Sequence, residues 1–246
     1  MKNSKKLLRM LVLSLMIALG VVISPILRVE GMCPMAHFIN IVCSVLLGPW
    51  YSLACAVIIG IIRMLTMGIP PLALTGAIFG AFLSGVFYRM SKGNLLLAVL
   101  GEIIGTGIIG AIVSYPVMTF IWGKEGLSWL FYVPSFICGT LIGGSIAYAF
   151  LKKLSQNGVL QNFQKKLEIQ VYADKGCLLG NSVSMAAIGV IGYVVINLAS
   201  GLFKFESGVW PNAAKVVLIA FIGVGVVYYL IKKIKREGST VDKQAN

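Results

Sequence analysis

The sequence predicts an all-α protein, a polytopic membrane bundle of about eight helices. Three observations carry that expectation. Of the 246 residues, 58% are hydrophobic and only 12% are charged, against roughly 25% charged in a soluble domain. The apolar residues run in blocks approaching the ~20 that a membrane-crossing helix needs. The basic residues gather at the ends of those blocks, where a polytopic protein carries them.

Taken in order, the apolar blocks place spans near 7–27, 36–48, 50–67, 71–88, 95–117, 131–151, 178–201 and 211–231. The first follows a basic stretch, Met1 to Arg9, and is long for a signal peptide. It has no small-x-small cleavage site after it, so it reads as a retained helix. The second and third are short and meet at Gly48-Pro49. Proline is tolerated in the first helical turn, where an amide N–H has no partner to lose. Pro71, Pro134 and Pro211 open other spans in the same way. The segment 154–177 is polar and reads as a linker. Within it, Val159, Leu160, Phe163, Leu167 and Val171 are spaced for an amphipathic helix over 159–173, lying on the cytoplasmic membrane face. The chain therefore divides into 1–153, a cytoplasmic linker over 154–177, and 178–246, which holds two further spans and a basic tail.

The formal charge is +13, from 21 basic and 8 acidic residues. In a soluble protein that balance would suggest nucleic acid. Here no basic face with interleaved aromatics exists, so nucleic acid is not an expected partner. The basic residues instead give an orientation. With a cytoplasmic N-terminus, sixteen of them fall on inner segments and four, Arg28, Lys124, Lys204 and Lys215, on outer ones. Both termini are then cytoplasmic, and the number of spans is even. The expected location is the cell membrane.

Chemistry has few places to sit. Arg63 and Glu102 are the ionisable residues inside spans. Such residues are costly in hydrocarbon and face a bundle interior or a wet cavity, so both are candidates for substrate or ion binding. They could pair with each other, although counting along the spans puts Arg63 nearer the outer side and Glu102 nearer the inner. His37, the one histidine, lies at the outer mouth of the second span, three residues before Asn40 on the same helical face. An imidazole and a carboxamide can together orient a small polar ligand. Tyr115-Pro116 is placed to shape a pocket with an aromatic wall. The five cysteines show no CxxC spacing and read as small buried hydrophobes. Cys33 and His37 alone are too few for a metal site. No cofactor is expected. With no catalytic constellation and no P-loop, the chain is not expected to be an enzyme or to hydrolyse ATP itself. Gly101 and Gly105, Gly76 and Gly80, and Ser14 and Ala18 carry the small-xxx-small spacing of close helix contacts. The last pair leaves a smooth face on the first span for a partner helix.

Several ordered blocks resemble the ThiW family. They are Cys33-Pro34-x-x-His37-x-x-Asn40, then Leu46-Leu47-Gly48-Pro49-Trp50-Tyr51 and Arg63, then Leu100 to Gly110 and Ser114-Tyr115-Pro116. The resemblance covers roughly 7–153. It implies a six-helix S-component core, the substrate-capturing subunit of an energy-coupling factor (ECF) importer assigned to the thiazole precursor of thiamine. It also implies partners: a transmembrane coupling protein and two cytoplasmic ATPases, docked through the first span, where Ser14 and Ala18 match the family's small-residue motif. Hydroxyethylthiazole is small, neutral and aromatic with one hydroxyl. His37 and Asn40 suit the polar contacts, and Tyr115 the stacking one. The two C-terminal spans depart from the family pattern. The competing readings are an S component for another vitamin or precursor, and a stand-alone secondary transporter.

Overall fold

The computed structural model describes residues 2–26, 28, 32–172, 178–202 and 209–244. Every regular element in them is helical. They are α1 (Lys2–Ile23), α2 (Pro34–Leu47), α3 (Pro49–Met67), α4 (Leu72–Met90) and α5 (Leu95–Ile121). There follow α6 (Val133–Gln156), α7 (Val159–Lys166), α8 (Leu178–Leu202) and α9 (Val209–Gln244). Among the described residues, six stretches are long and apolar enough to cross a membrane, and Pro34–Leu47 and Asn181–Val194 are shorter apolar helices. The chain is a multi-pass membrane protein. It divides into two compact units, Met1–Lys175 and Gly176–Asn246. Lys175, Cys177 and Lys204 lie outside the described residues.

In the first unit, α2 to α5 run up and down in turn. Pro49 opens α3 and Pro134 sits in the first turn of α6. Pro71 caps α4, just ahead of Leu72. The α2–α3 corner turns at Gly48, where φ is +90° and the Arg89 guanidinium lies where a Cβ would project. Only glycine meets both conditions there.

Helices α4 and α5 touch backbone to backbone. A Cβ on Gly101 would sit 2.6 Å from Leu83 O, on Gly105 2.6 Å from Gly80 Cα, and on Gly110 2.9 Å from Thr75 O. The step from Gly105 to Gly110 is five residues. In an α-helix each residue turns by about 100°, so five residues overshoot one turn by about 140°. Gly110 would then face away from α4. However, Ile103–Gly110 is π-helical, and its i→i+5 ladder brings a five-residue step close to one full turn. The glycine stripe stays on the α4 side. A second π-helical stretch, Val117–Ile121, follows Pro116. It carries α5 past the proline to Ile121, four residues beyond the end expected near 117.

The expected amphipathic helix over 159–173 is shorter than its apolar spacing suggests. It ends at Lys166, because Glu168 takes a positive φ of 49° and Ile169 N donates back to Gln164 O at 3.0 Å. Its apolar residues divide. Leu160 and Leu167 are buried, while Phe163 is 50% exposed. Gln164 is fully buried, and its amide donates to Val45 O at 3.1 Å and to Tyr88 OH at 3.1 Å. Val45 lies in the last turn of α2, where carbonyls lack helical partners, so α7 caps that end of α2. Arg9 ties α1 to the same turn, donating to Leu167 O at 2.7 Å and Glu168 O at 2.9 Å. Lys5 pairs with the Glu168 carboxylate.

In the second unit, α8 and α9 form an antiparallel hairpin. Gly189 packs on Phe221 and Gly225 on Ser182 O. Asn181 Nδ2 donates to Tyr228 OH at 3.1 Å. Helix α9 runs on to Gln244, so the basic stretch after 231 continues the helix.

Candidate functional site

The polar centre of the first unit is Glu102. Its side chain is completely buried. Oε1 accepts from Asn40 Nδ2 at 3.1 Å and from Thr106 Oγ1 at 3.1 Å, and it lies 3.0 Å from His37 Nδ1. Thr106 is four residues along α5, so its hydroxyl reaches back along one face. His37 and Asn40 descend from the first two turns of α2. Three polar groups thus converge on one carboxylate oxygen. Charge-assisted bonds of this kind are the stronger sort, and burial raises the cost of leaving any of them unmade. The other oxygen, Oε2, is buried with no hydrogen-bond partner. It lies against Gly80 of α4, where an added Cβ would stand 2.7 Å from it.

This arrangement places His37 and Asn40 deeper than the outer mouth where the sequence put them. Asn40 lies seven residues before Leu47, the end of α2. Glu102 lies seven residues after Leu95, the start of α5 at the same end of the bundle. At 1.5 Å per residue the two are level. Glu102 keeps its place toward the Leu95 end of α5, and the α2 residues come level with it because α2 has only 14 residues.

Arg63 of α3 is 4% exposed. It does not pair with Glu102: among the described residues no ion pair joins Arg63 to a carboxylate. Its Nη2 donates to Cys33 Sγ at 3.4 Å, and its Nε is buried without a partner. The Cys33 thiol in turn donates to Ser24 O at 2.9 Å. Arg63, Asn40 and Ser24 are the polar lining of a narrow crevice between α1, α2, α3 and α4. Its other walls are small: Ala36, Ala56, Gly60, Ala73 and Ala77, with Ile59 alongside. The free space is about 10 Å³, enough for about one water molecule. Asn40 belongs to both groups. It lines the crevice and donates to Glu102, and it also reaches Ala77 O at 3.4 Å.

The candidate residues named from the sequence therefore separate. His37, Asn40 and Glu102 meet directly, and Arg63 shares the crevice lining with Asn40. Tyr115 does not. Its ring packs on Trp129 with centroids 4.5 Å apart, and no aromatic ring lines the crevice. Ser14 and Ala18 are exposed on α1, and the Ser14 hydroxyl is satisfied by Met10 O at 3.0 Å. Sequence reasoning passed over Thr106 and Ser24, and read Gly80 only as a helix-packing position. Thr106 carried a usable signal, its i,i+4 spacing from a buried glutamate. Among the described residues no group of three or more His, Cys, Asp or Glu side chains could hold a metal ion.

A crevice lined by a guanidinium and an amide, the amide backed by a buried carboxylate, suits recognition of a small polar molecule. Against known proteins, residues 10–157 match the family model described as "Thiamine-precursor transporter protein (ThiW)". No curated protein and no solved structure matches the chain.

Proposed function

Because the chain belongs to the ThiW family of thiamine-precursor transporters, we propose that it is the substrate-capturing S component of an ECF-type importer and that its cargo is hydroxyethylthiazole. The observation that carries this reading is the crevice beside Arg63 and Asn40, backed by the buried Glu102 network, inside the segment that matches the family. A ligand site in a helical membrane bundle is expected where ionisable side chains are buried between helices.

In this reading both termini are cytoplasmic, as the distribution of lysine and arginine requires. The C-terminal end of α1 and the N-terminal end of α2 then face outward. The crevice, lined by Ser24 and Ala36 from those ends, opens toward the outside. His37 and Asn40 hold the polar end of the cargo, and Arg63 and Glu102 set the field around it, with Tyr115, which packs on Trp129, outside that set. At its present size the crevice must widen to admit a ring. Its small walls let that happen by a modest separation of α3 and α4 beside the crevice, where Gly60 packs on Leu74. Energy comes from two cytoplasmic ATPases acting through a transmembrane coupling protein. The exposed Ser14 and Ala18 are the small positions at which that partner seats. The residues 154–177 serve as a cytoplasmic linker between the S-component core and the two added helices.

Isothermal titration of the protein in nanodiscs tests the reading, with hydroxyethylthiazole as ligand and thiamine, riboflavin and biotin as comparators. The expected result is one-to-one binding of the thiazole alone. Tighter binding of a comparator, or no thiazole binding by folded protein, would overturn the cargo assignment. Uptake that follows an ion gradient and ignores ATP depletion would identify a stand-alone transporter instead.

A further inference from the structure

We infer that the crevice beside Arg63 is built for an oxyanion, so that among thiazole-type cargoes those bearing a carboxylate or phosphate group bind in preference to the neutral alcohol. The inference rests on the reading of the crevice as the cargo site.

A guanidinium has five N–H donors and no acceptor. Arg63 is 4% exposed, so water does not satisfy those donors freely. Its hydrogen bond to protein is to a sulfur, Cys33 Sγ at 3.4 Å, and sulfur is a weak acceptor. Its Nε is buried and unpartnered. Burying a cation in this way is costly unless something pairs with it. The nearest acid in the site does not serve. Glu102 Oε1 is already engaged by Asn40, Thr106 and His37, and Oε2 is closed off against Gly80. Asn40 turns its amide donor toward Glu102, and the Cys33 thiol donates to Ser24 O. With those donors spent, what the crevice offers is the guanidinium, with its unpartnered Nε and its positive charge. A neutral hydroxyl can accept from one of the guanidinium N–H groups. A carboxylate or phosphate can accept from two in parallel and cancel the charge as well. The small walls at Ala56, Gly60 and Ala77 let such a group come close to the guanidinium.

The test is titration of the nanodisc-embedded full chain with three ligands: hydroxyethylthiazole, its phosphate ester, and a thiazole carboxylate of similar size. Each is run on the wild type, Arg63→Gln and Arg63→Lys. At least one oxyanion ligand is expected to bind the wild type tenfold or more tighter than the alcohol. Arg63→Gln should erase that preference, and Arg63→Lys, which keeps the charge but loses the fork, should retain part of it. Which of the two oxyanions wins separates a carboxylate site from a phosphate site. Alcohol binding equal to or tighter than both oxyanions would overturn the inference and leave the proposed function standing. Persistence of the preference in a folded Arg63→Gln protein would also overturn it. Failure of all three ligands to bind folded wild type would remove the cargo reading, and the inference with it.

Discussion

Replacing Gly80 by alanine adds one methyl group at one of the closest contacts among the described residues. The new Cβ would overlap Thr106 Oγ1 and stand 2.7 Å from both Cδ and Oε2 of Glu102. No real Cβ sits that close, and the groups it meets belong to a buried network. Overpacking of this kind costs typically about 1–3 kcal/mol. Displacing Thr106 also breaks its bond to Glu102, and a lost hydrogen bond to a charged group costs about 1.5–3 kcal/mol. Together these give roughly 2–5 kcal/mol, allowing for partial relaxation. At roughly 2–4 °C per kcal/mol for a chain of this size, the melting temperature should fall by at least about 4 °C, and ligand affinity should fall with it. Gly223→Ala is the control, because nothing lies within 4 Å of its Cβ position. It should be neutral or raise stability by up to ~1 kcal/mol, the helix-propensity difference. Thr106→Ala should relieve the worst overlap, so the Gly80→Ala/Thr106→Ala double variant should cost at least ~1 kcal/mol less than the sum of the singles. The assay is thermal unfolding in nanodiscs, read by intrinsic fluorescence. A Gly80→Ala protein that melts with the wild type and binds normally would refute the packing argument.

Three other outcomes follow from the same geometry. Glu102→Leu leaves donors from Asn40 and Thr106 buried and unpaired, at about 1–3 kcal/mol each, whereas Glu102→Gln keeps an acceptor and should lose less than half as much; chemical denaturation of the two variants compares them. Gln164→Ala strips Val45 O of its donor and should destabilise by about 1–3 kcal/mol while leaving the ligand Kd unchanged, since Gln164 lies at the opposite end of α2; melting and titration on one sample check both. Ala18→Trp on α1 should leave ligand binding by the purified protein intact but reduce ATP-driven uptake in cells tenfold or more; normal uptake would remove α1 as the docking face.

The helical bundle was legible because its signals are local. Proline fixes φ wherever it stands, so Pro49, Pro71 and Pro134 mark helix starts in any context. A block of apolar residues reports its span whatever it packs against. The site was legible in part for a similar reason: a charge in an apolar helix is conspicuous, and Arg63 and Glu102 stand out. What failed to show was what depends on neighbours. The level of His37 and Asn40 could not be read without knowing that α2 is short. The π-helical turn in α5 obeys no sequence period, and it was needed to bring Gly110 onto α4. Pro116 looked like a pocket former near the end of its span. The π-helical stretch carries the helix through it, and Tyr115 instead turns to Trp129. The early stop of α7 follows from one backbone angle at Glu168, which the apolar spacing beyond it does not report.

Helix α1 exposes most of its length, yet it is not a loose arm. At its N-terminal end Arg9 grips two carbonyls in the turn after α7, and α7 is itself bolted to α2 and α4 through Gln164. At its far end Gly20 nests on Ile59, and Ser24 is hydrogen-bonded to Cys33. A helix fastened at both ends behaves as a handle. A partner that takes hold of the outer face of α1 and tilts it would therefore turn α2, α3 and the crevice with it as one piece, with no hinge between the grip and the cargo.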